Sequence, residues 1–308
     1  MKPRALKPGD RIAVVSPASP FSREAFEKGV GELRTLGYVP VYHDSVFDRA
    51  LGGMTSGPAE LRAAAFVRAW SDPSIAALIA VRGGHGSVHM LPHLEGWDPR
   101  QNPKLFIGYS DNTSILAWLT TQCGITALHG PMLDGRLARG TDGYDRTSFS
   151  RLIQGSGAGL VMAPEGLSVV SDGEASGPLH GGTLTLLAAS MGTPYAFAPP
   201  DGSVLFLEDV NERPYKIDRL LMQLRLAGVV GRARAIVFGE MRGCDEPGGE
   251  LKLRDLLPEL LEDFEGPVLF GFPSGHTTGP CWSLPFGVRV TVKTSPAPSV
   301  AIEESPVE

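Results

Sequence analysis

The chain has 308 residues, 42% of them hydrophobic and 20% charged, enough apolar material for a full core and enough length for one large or two medium domains. Its formal charge of -6 is spread without a basic block, which leaves no electrostatic footprint for nucleic acid or an anionic membrane; small-molecule or peptide chemistry fits better. The apolar run Ile12 to Val15 is too short for a secretory signal core and no segment approaches a membrane span. Three scattered cysteines, Cys123, Cys244 and Cys281, suggest neither a disulfide framework nor a zinc knuckle, so a reducing cytoplasm is the expected home.

From the N-terminus, short apolar strands are expected at Arg11 to Ser16, Tyr38 to Tyr42, Ile75 to Val81, Lys104 to Gly108 and Thr126 to His129. Helices are expected between them at Arg23 to Leu36, Pro58 to Trp70 and Thr113 to Gln122, with Gly37 stopping the first. That alternation predicts an α/β domain with a doubly wound parallel sheet over residues 1–135. Ligands of such sheets gather beyond the carboxyl ends of the strands, where Ser16, Gly83-Gly84, Ser110 and His129 fall. Residues 136–177, rich in Gly, Ser and Asp with one helix near Asp145 to Ile153, read as an interdomain passage. Residues 178–308 read as a C-terminal domain, α/β or β-rich. Its strands are expected at Val204 to Leu207 and Ala235 to Phe238, flanking a helix from Pro214 to Ala227, then at Val268 to Phe272, Gly287 to Lys293 and Val300 to Glu303.

Ser110 lies in Gly108-Tyr109-Ser110-Asp111-Asn112-Thr113, where an apolar strand breaks into a helix. A serine on such a turn has its hydroxyl pushed out of the sheet near the positive end of a helix, as in a nucleophile elbow. The same hexapeptide also suits a helix cap. A serine nucleophile needs a base and a carboxylate to hold that base. Glu208, at the end of a strand in Leu207-Glu208-Asp209-Val210, and His276, in the loop Pro273-Ser274-Gly275-His276, supply both types in a permissible order. Glu208 and Asp209 also suit caps of the helix near Pro214, and His276 a plain loop histidine. Arg82-Gly83-Gly84-His85-Gly86 brings flexible backbone N–H groups to a strand end, as an oxyanion hole requires, and fits neither a dinucleotide nor a Walker loop. Arg82 is a candidate to meet a terminal carboxylate, or a structural ion pair. His85, His89 and His93 recur every four residues, but Pro92 interrupts the turn and no metalloprotease carboxylate follows, so no metal or other cofactor is expected.

Together these motifs resemble the serine peptidase family of LD-carboxypeptidases and microcin-immunity hydrolases. The match runs from Lys7 to near Val292 through Ser16-Pro17-Ala18, Arg82-Gly83-Gly84, Gly108-Tyr109-Ser110-Asp111, His129-Gly130-Pro131-Met132, Leu207-Glu208-Asp209-Val210, Asp218-Arg219 with Gln223-Leu224, and Gly275-His276. The resemblance implies a flavodoxin-like N-terminal domain joined to a smaller C-terminal one, with the active site between them. It implies Ser110 as nucleophile, His276 as base and acid, Glu208 as its orienting carboxylate, and the Gly84 and Asp111 N–H groups as oxyanion hole. It further implies a homodimer that removes terminal D-alanine from cytoplasmic murein peptides, or, in the microcin-immunity branch, cleaves peptidyl or aminoacyl nucleotide conjugates. Such a nucleotide calls for an aromatic plate; no tryptophan falls in the interdomain passage, where Tyr144 or Phe149 remain as candidates. A non-catalytic peptide or sugar binder is the reading from another class. Three departures stand out: His85 replaces a usual tyrosine, Thr183 a common asparagine and Asn211 a frequent glycine. His85 and Thr183 are expected to shape the substrate pocket without touching the triad.

Overall fold

The computed structural model describes residues 1–249 and 251–308. In the N-terminal half, strands β1 (Arg11–Val15), β2 (Val39–Val41), β3 (Ile75–Ala80), β4 (Leu105–Gly108) and β5 (Ala127–His129) are all parallel and lie in the spatial order 2-1-3-4-5. This is the flavodoxin-like order, and it follows from strands that are buried on both faces: every residue of β3 and β4 is buried, so helices must cover each side. Helix α1 (Arg23–Thr35) begins where the Ser22 hydroxyl accepts from the Ala25 N–H at 3.3 Å, buries Phe26, Val30 and Leu33, and ends before Gly37. Helix α2 (Ala59–Ser71) covers the sheet through Ala63, Phe66 and Trp70. The expected helix from Thr113 to Gln122 is α-helical only as α3 (Thr113–Ala117) and then widens into a π-turn at Trp118–Gln122.

Between the halves, α4 (Arg146–Ile153) starts at Asp145, whose carboxylate accepts from the Ser148 N–H at 2.6 Å. The remaining strands are β6 (Val161–Met162), β7 (Ser168–Ser171), β8 (Glu174–Thr183), β9 (Ser203–Glu208), β10 (Ala233–Gly239), β11 (Val268–Phe272), β12 (Leu284–Phe286), β13 (Arg289–Lys293) and β14 (Ser299–Ile302). A second sheet runs β6-β14-β13-β8-β9-β10-β11-β7, parallel from β8 to β11 and antiparallel outside that block. Helices α5 (Leu184–Ala189), α6 (Pro214–Leu226) and α7 (Leu253–Leu260) pack a separate apolar cluster against one of its faces. Strand β12 leaves this sheet and pairs antiparallel with β5, so the C-terminal segment closes the edge of the first sheet.

Ten-residue β8 carries Gly177, Gly181 and Gly182, a composition that conceals a strand. The glycines are required by close approach: a Cβ on Gly181 falls 1.8 Å from the Phe206 carbonyl oxygen, and one on Gly182 falls 2.6 Å from the Thr113 side chain. That contact draws the start of α3 against the second sheet. Nearby, Phe206 sits fully buried between the sheets, its ring 5.2 Å from His129 and 6.4 Å from Phe286. Phe206→Ala is expected to destabilise the fold by about 3–5 kcal/mol, read as a lower urea midpoint at an unchanged slope; a shift below about 1 kcal/mol contradicts this placement of the junction.

Candidate active site

Ser110 is the second residue beyond β4 and has φ 61°, a left-handed conformation uncommon for a residue with a side chain. The sharp reversal is braced on both sides. Asn112 donates from Nδ2 to the carbonyls of Arg82 at 3.1 Å and Tyr109 at 3.2 Å, and the Asp111 carboxylate accepts from the Ser87 N–H at 2.7 Å. The elbow is thereby tied to the glycine loop. A Cβ on Gly83 falls 2.7 Å from that of Ser110, so the two strand ends are in contact. Gly84 has φ 105°, and among the described residues its N–H has no acceptor.

Glu208 ends β9 and is 1% exposed. Its Oε2 accepts from His276 Nδ1 at 2.8 Å and from the His276 backbone N–H at 3.0 Å, and its Oε1 accepts from the Thr183 hydroxyl. Burial raises the carboxyl pKa, but the His276 charge and these donors outweigh it and hold Glu208 at about 2. For His276, burial works against the charged form, and the adjacent Glu208 charge prevails to raise its pKa. Glu208 therefore contributes stability above its unfolded value of 4.5 that is lost as pH falls toward about 2. His276 contributes stability below its ordinary 6.5 that is lost as pH rises through its raised folded value. The pairing fixes the imidazole tautomer: with Nδ1–H given to Glu208, Nε2 is the nitrogen left for proton transfer. Close packing maintains the contact, since a Cβ on Gly275 falls 2.7 Å from the Glu208 carboxyl carbon.

The structure corrects one expectation about Thr183. It touches the Glu208 carboxylate directly, because Thr183 and Glu208 are register partners across β8 and β9. Its backbone N–H also donates to Thr113 Oγ1 at 3.0 Å, so hydrogen bonds run without a break from the elbow helix to His276. Asn211 has φ 58°, a left-handed conformation that glycine adopts freely and asparagine tolerates. Asp209 accepts from the Thr185 N–H at 2.8 Å and caps α5, so it does not cap the helix at Pro214. His85 is exposed beside Gly84 with its ring 5.1 Å from that of His89. Arg82 reaches the Pro20 carbonyl at 3.4 Å and Asp134 at 3.5 Å, with half of its side chain exposed. Tyr144 and Phe149 are fully buried in the core, which removes both as stacking plates.

Arg136 escaped the sequence reading, and Tyr109 and His129 entered it without the contacts they make. The Tyr109 ring meets the His276 ring edge-on at 5.3 Å, bringing the residue before Ser110 against the imidazole. Buried Arg136 donates to the Tyr109 hydroxyl at 3.3 Å and to the carbonyls of Gly275 at 2.7 Å, Thr277 at 3.2 Å and Gly279 at 3.1 Å. The elbow and the His276 loop are thus gripped by one guanidinium. Also, fully buried His129 shares a 2.9 Å hydrogen bond with Ser274, next in the chain but one to His276, and burial lowers its pKa to about 4.

With this geometry in view, the chain matches the LD-carboxypeptidase N-terminal domain over residues 12–130 and the LD-carboxypeptidase C-terminal domain over residues 176–292. The chain belongs to the LD-carboxypeptidase family. A probable murein peptide carboxypeptidase of Bacillus subtilis is 30% identical, the match covering 96% of this chain and 92% of that protein. The murein tetrapeptide carboxypeptidase of Pseudomonas aeruginosa is 31% identical over 86% and 88%. Among solved structures, the muramoyltetrapeptide carboxypeptidase of Oxalobacter formigenes superposes with a TM-score of 0.84 at 26% identity, covering 96% of this LD-carboxypeptidase family member and 100% of that chain. The microcin C7 self-immunity protein MccF of Escherichia coli is 27% identical in sequence, over 93% of this chain and 91% of its own.

Two measurements follow from the site. In Glu208→Gln the charge that favours imidazolium is gone while burial remains, so the His276 pKa is expected to fall, read from its ring proton shifts during an NMR titration; an unmoved titration contradicts the pairing. Arg136→Lys keeps a positive charge but loses the guanidinium fork. Amide hydrogen exchange across residues 275–279 is expected to accelerate by about tenfold or more, without matching acceleration in β3.

Proposed function

We propose that this family member is a serine LD-carboxypeptidase in which Ser110, His276 and Glu208 act as nucleophile, base and orienting carboxylate. The observation that carries the reading is the buried Glu208 carboxylate fixing His276 Nδ1 while Ser110 is held in a strained turn beside the glycine loop. In the reaction, Ser110 Oγ attacks the scissile carbonyl as its proton passes to His276 Nε2. The Gly84 and Asp111 N–H groups receive the oxyanion; Asp111 stands in the first turn after the elbow, where N–H groups lack intrahelical partners. His276 then protonates the leaving amine, and on the return it activates water to release the acyl group from Ser110.

The substrate we infer is a murein tetrapeptide and the leaving group D-alanine, in keeping with the names of the Bacillus and Pseudomonas relatives. Cytoplasmic peptidoglycan recycling and a homodimeric state belong to the same proposal, as does a division into domains 1–135 and 178–308 joined by 136–177. Arg82 and His85, exposed at the mouth of the glycine loop, are the proposed contacts to the peptide. The similarity to MccF supports a second reading, hydrolysis of a peptidyl or aminoacyl nucleotide. Against it, three of the four tryptophans, Trp70, Trp97 and Trp118, pack on one another, while half-buried Trp282 meets the Phe272 ring edge-on.

Incubation with murein tetrapeptide is expected to release D-alanine, detected by mass spectrometry, and Ser110→Ala is expected to reduce the rate by at least about a thousandfold. Release that persists in Ser110→Ala sinks the nucleophile assignment. Cleavage of an aminoacyl sulfamoyl adenosine in place of the tetrapeptide favours the second reading, and binding of either without turnover favours a binder.

A further inference from the structure

His129, the last residue of β5, takes no step in the proposed reaction, yet the elements that carry Ser110 and His276 meet on it. In the first sheet it is the register partner of Gly108, two residues before Ser110, and the Gly130 N–H extends that pairing by donating to the Gly108 carbonyl at 3.1 Å. On its other side it is the register partner of Leu284 in β12, where the chain returns from the His276 loop. The side chain is fully buried, its ring 5.2 Å from that of Phe206, 5.3 Å from that of Phe286 and 5.9 Å from that of Tyr109.

The loop that carries His276 is closed at its neck. The Trp282 N–H donates to the Pro273 carbonyl at 2.7 Å, and the Ser274 hydroxyl donates to the Trp282 carbonyl at 2.7 Å. Ser274 has a single hydroxyl hydrogen, so in its 2.9 Å hydrogen bond with His129 it accepts, and the imidazole carries its proton on Nδ1. Burial, which lowers the His129 pKa to about 4, keeps the ring neutral, and Nε2 has no partner among the described residues. An unpaired buried nitrogen is unfavourable, and a phenylalanine would fill this aromatic-lined space without that cost. What an apolar ring cannot supply is the bond to Ser274. Arg136 and Glu208 hold the loop beyond its neck, at Gly275 and His276, whereas His129 ties the neck itself to the strand beside the one that ends in the Ser110 turn.

We infer that His129 is a positioning residue for the proposed triad: its Nδ1–H, given to Ser274, fixes the neck of the His276 loop against β5 and so sets the separation of His276 Nε2 from Ser110 Oγ. The inference rests on the assignment of Ser110 and His276 as nucleophile and base. Its consequence is kinetic, because misplacing a reacting group by about 1 Å costs on the order of a hundredfold in rate. Substrate binding, which does not involve a buried side chain behind the loop, is left nearly as it was.

The test compares His129→Phe, which keeps a ring and loses the donor, with His129→Asn, whose amide nitrogen stands in the place of Nδ1, and with Ser274→Ala. On murein tetrapeptide, His129→Phe and Ser274→Ala are each expected to lower kcat about ten- to a hundredfold with KM changed less than about threefold. The double variant is expected to be no slower than Ser274→Ala alone, since both changes remove the same bond. His129→Asn is expected to recover kcat to within about fivefold of the parent. A kcat of His129→Phe equal to the parent's, a loss carried by KM, or an asparagine variant as slow as the phenylalanine one overturns the inference. A second measurement needs no substrate: in a crystal structure of His129→Phe or, should that variant not fold, of Ser274→Ala, His276 Nε2 is expected to have moved relative to Ser110 Oγ with β4 and β9 in place. An unmoved imidazole overturns the inference as well. If the parent releases no D-alanine, the murein reading fails by itself, and the crystallographic comparison decides the role of His129.

Discussion

A single carboxylate, that of Glu208, is the constraint around which the site is organised. It is buried, it is charged, and it accepts from His276 twice and from Thr183 once. An ionised group shut away from water is tolerated only when donors surround it, so the positions of β8, β9 and the His276 loop are not independent. Thr183 belongs to the strand beside Glu208 and also receives the elbow helix through Thr113. Any displacement of one element leaves a buried charge short of a partner, which makes the arrangement cooperative.

Arg136 complements this from the opposite charge. It is buried, and most of its donors go to carbonyls of the loop around His276, where lysine cannot reproduce the geometry. The imidazole is thus held at its Nδ1 by an anion and along its backbone by a cation. The strain at Ser110 belongs to the same scheme. A left-handed serine persists only when its surroundings over-determine it, and Asn112, Asp111 and Gly83 provide that determination.

The N-terminal strands, α1, α2 and the Ser110 turn were legible because uninterrupted apolar runs alternating with amphipathic segments have few other physical solutions. Strand β11 coincides with its expected bounds for the same reason. Strand β8 was hidden because its glycines serve close backbone approach, a demand that depends on a neighbouring strand and not on local sequence. Strand β12 was hidden because three residues centred on Pro285 carry no strand signal, and their partner β5 lies far away in the chain. Residue types pointed to Ser110, Glu208 and His276, whereas Arg136 sits in a Gly- and Asp-rich stretch that reads as a passage. Its partners are main-chain carbonyls, which no side-chain pattern announces.

The excursion of β12 into the first sheet bears on how such enzymes can be recombined. The loop carrying His276 leaves from β11 in one sheet and arrives at β12 in the other, so it is a strut between them and not an appendage of either. Exchanging C-terminal halves between relatives at a single crossover would import a foreign β12 against the native β5, and with it a foreign angle for the strut. A chimaera that retained its own β5 and β12 as a matched pair, through two crossovers, would keep the histidine aimed as before. The unit of inheritance for this site is therefore discontinuous in sequence, and its natural seam lies on either side of residues 284–286.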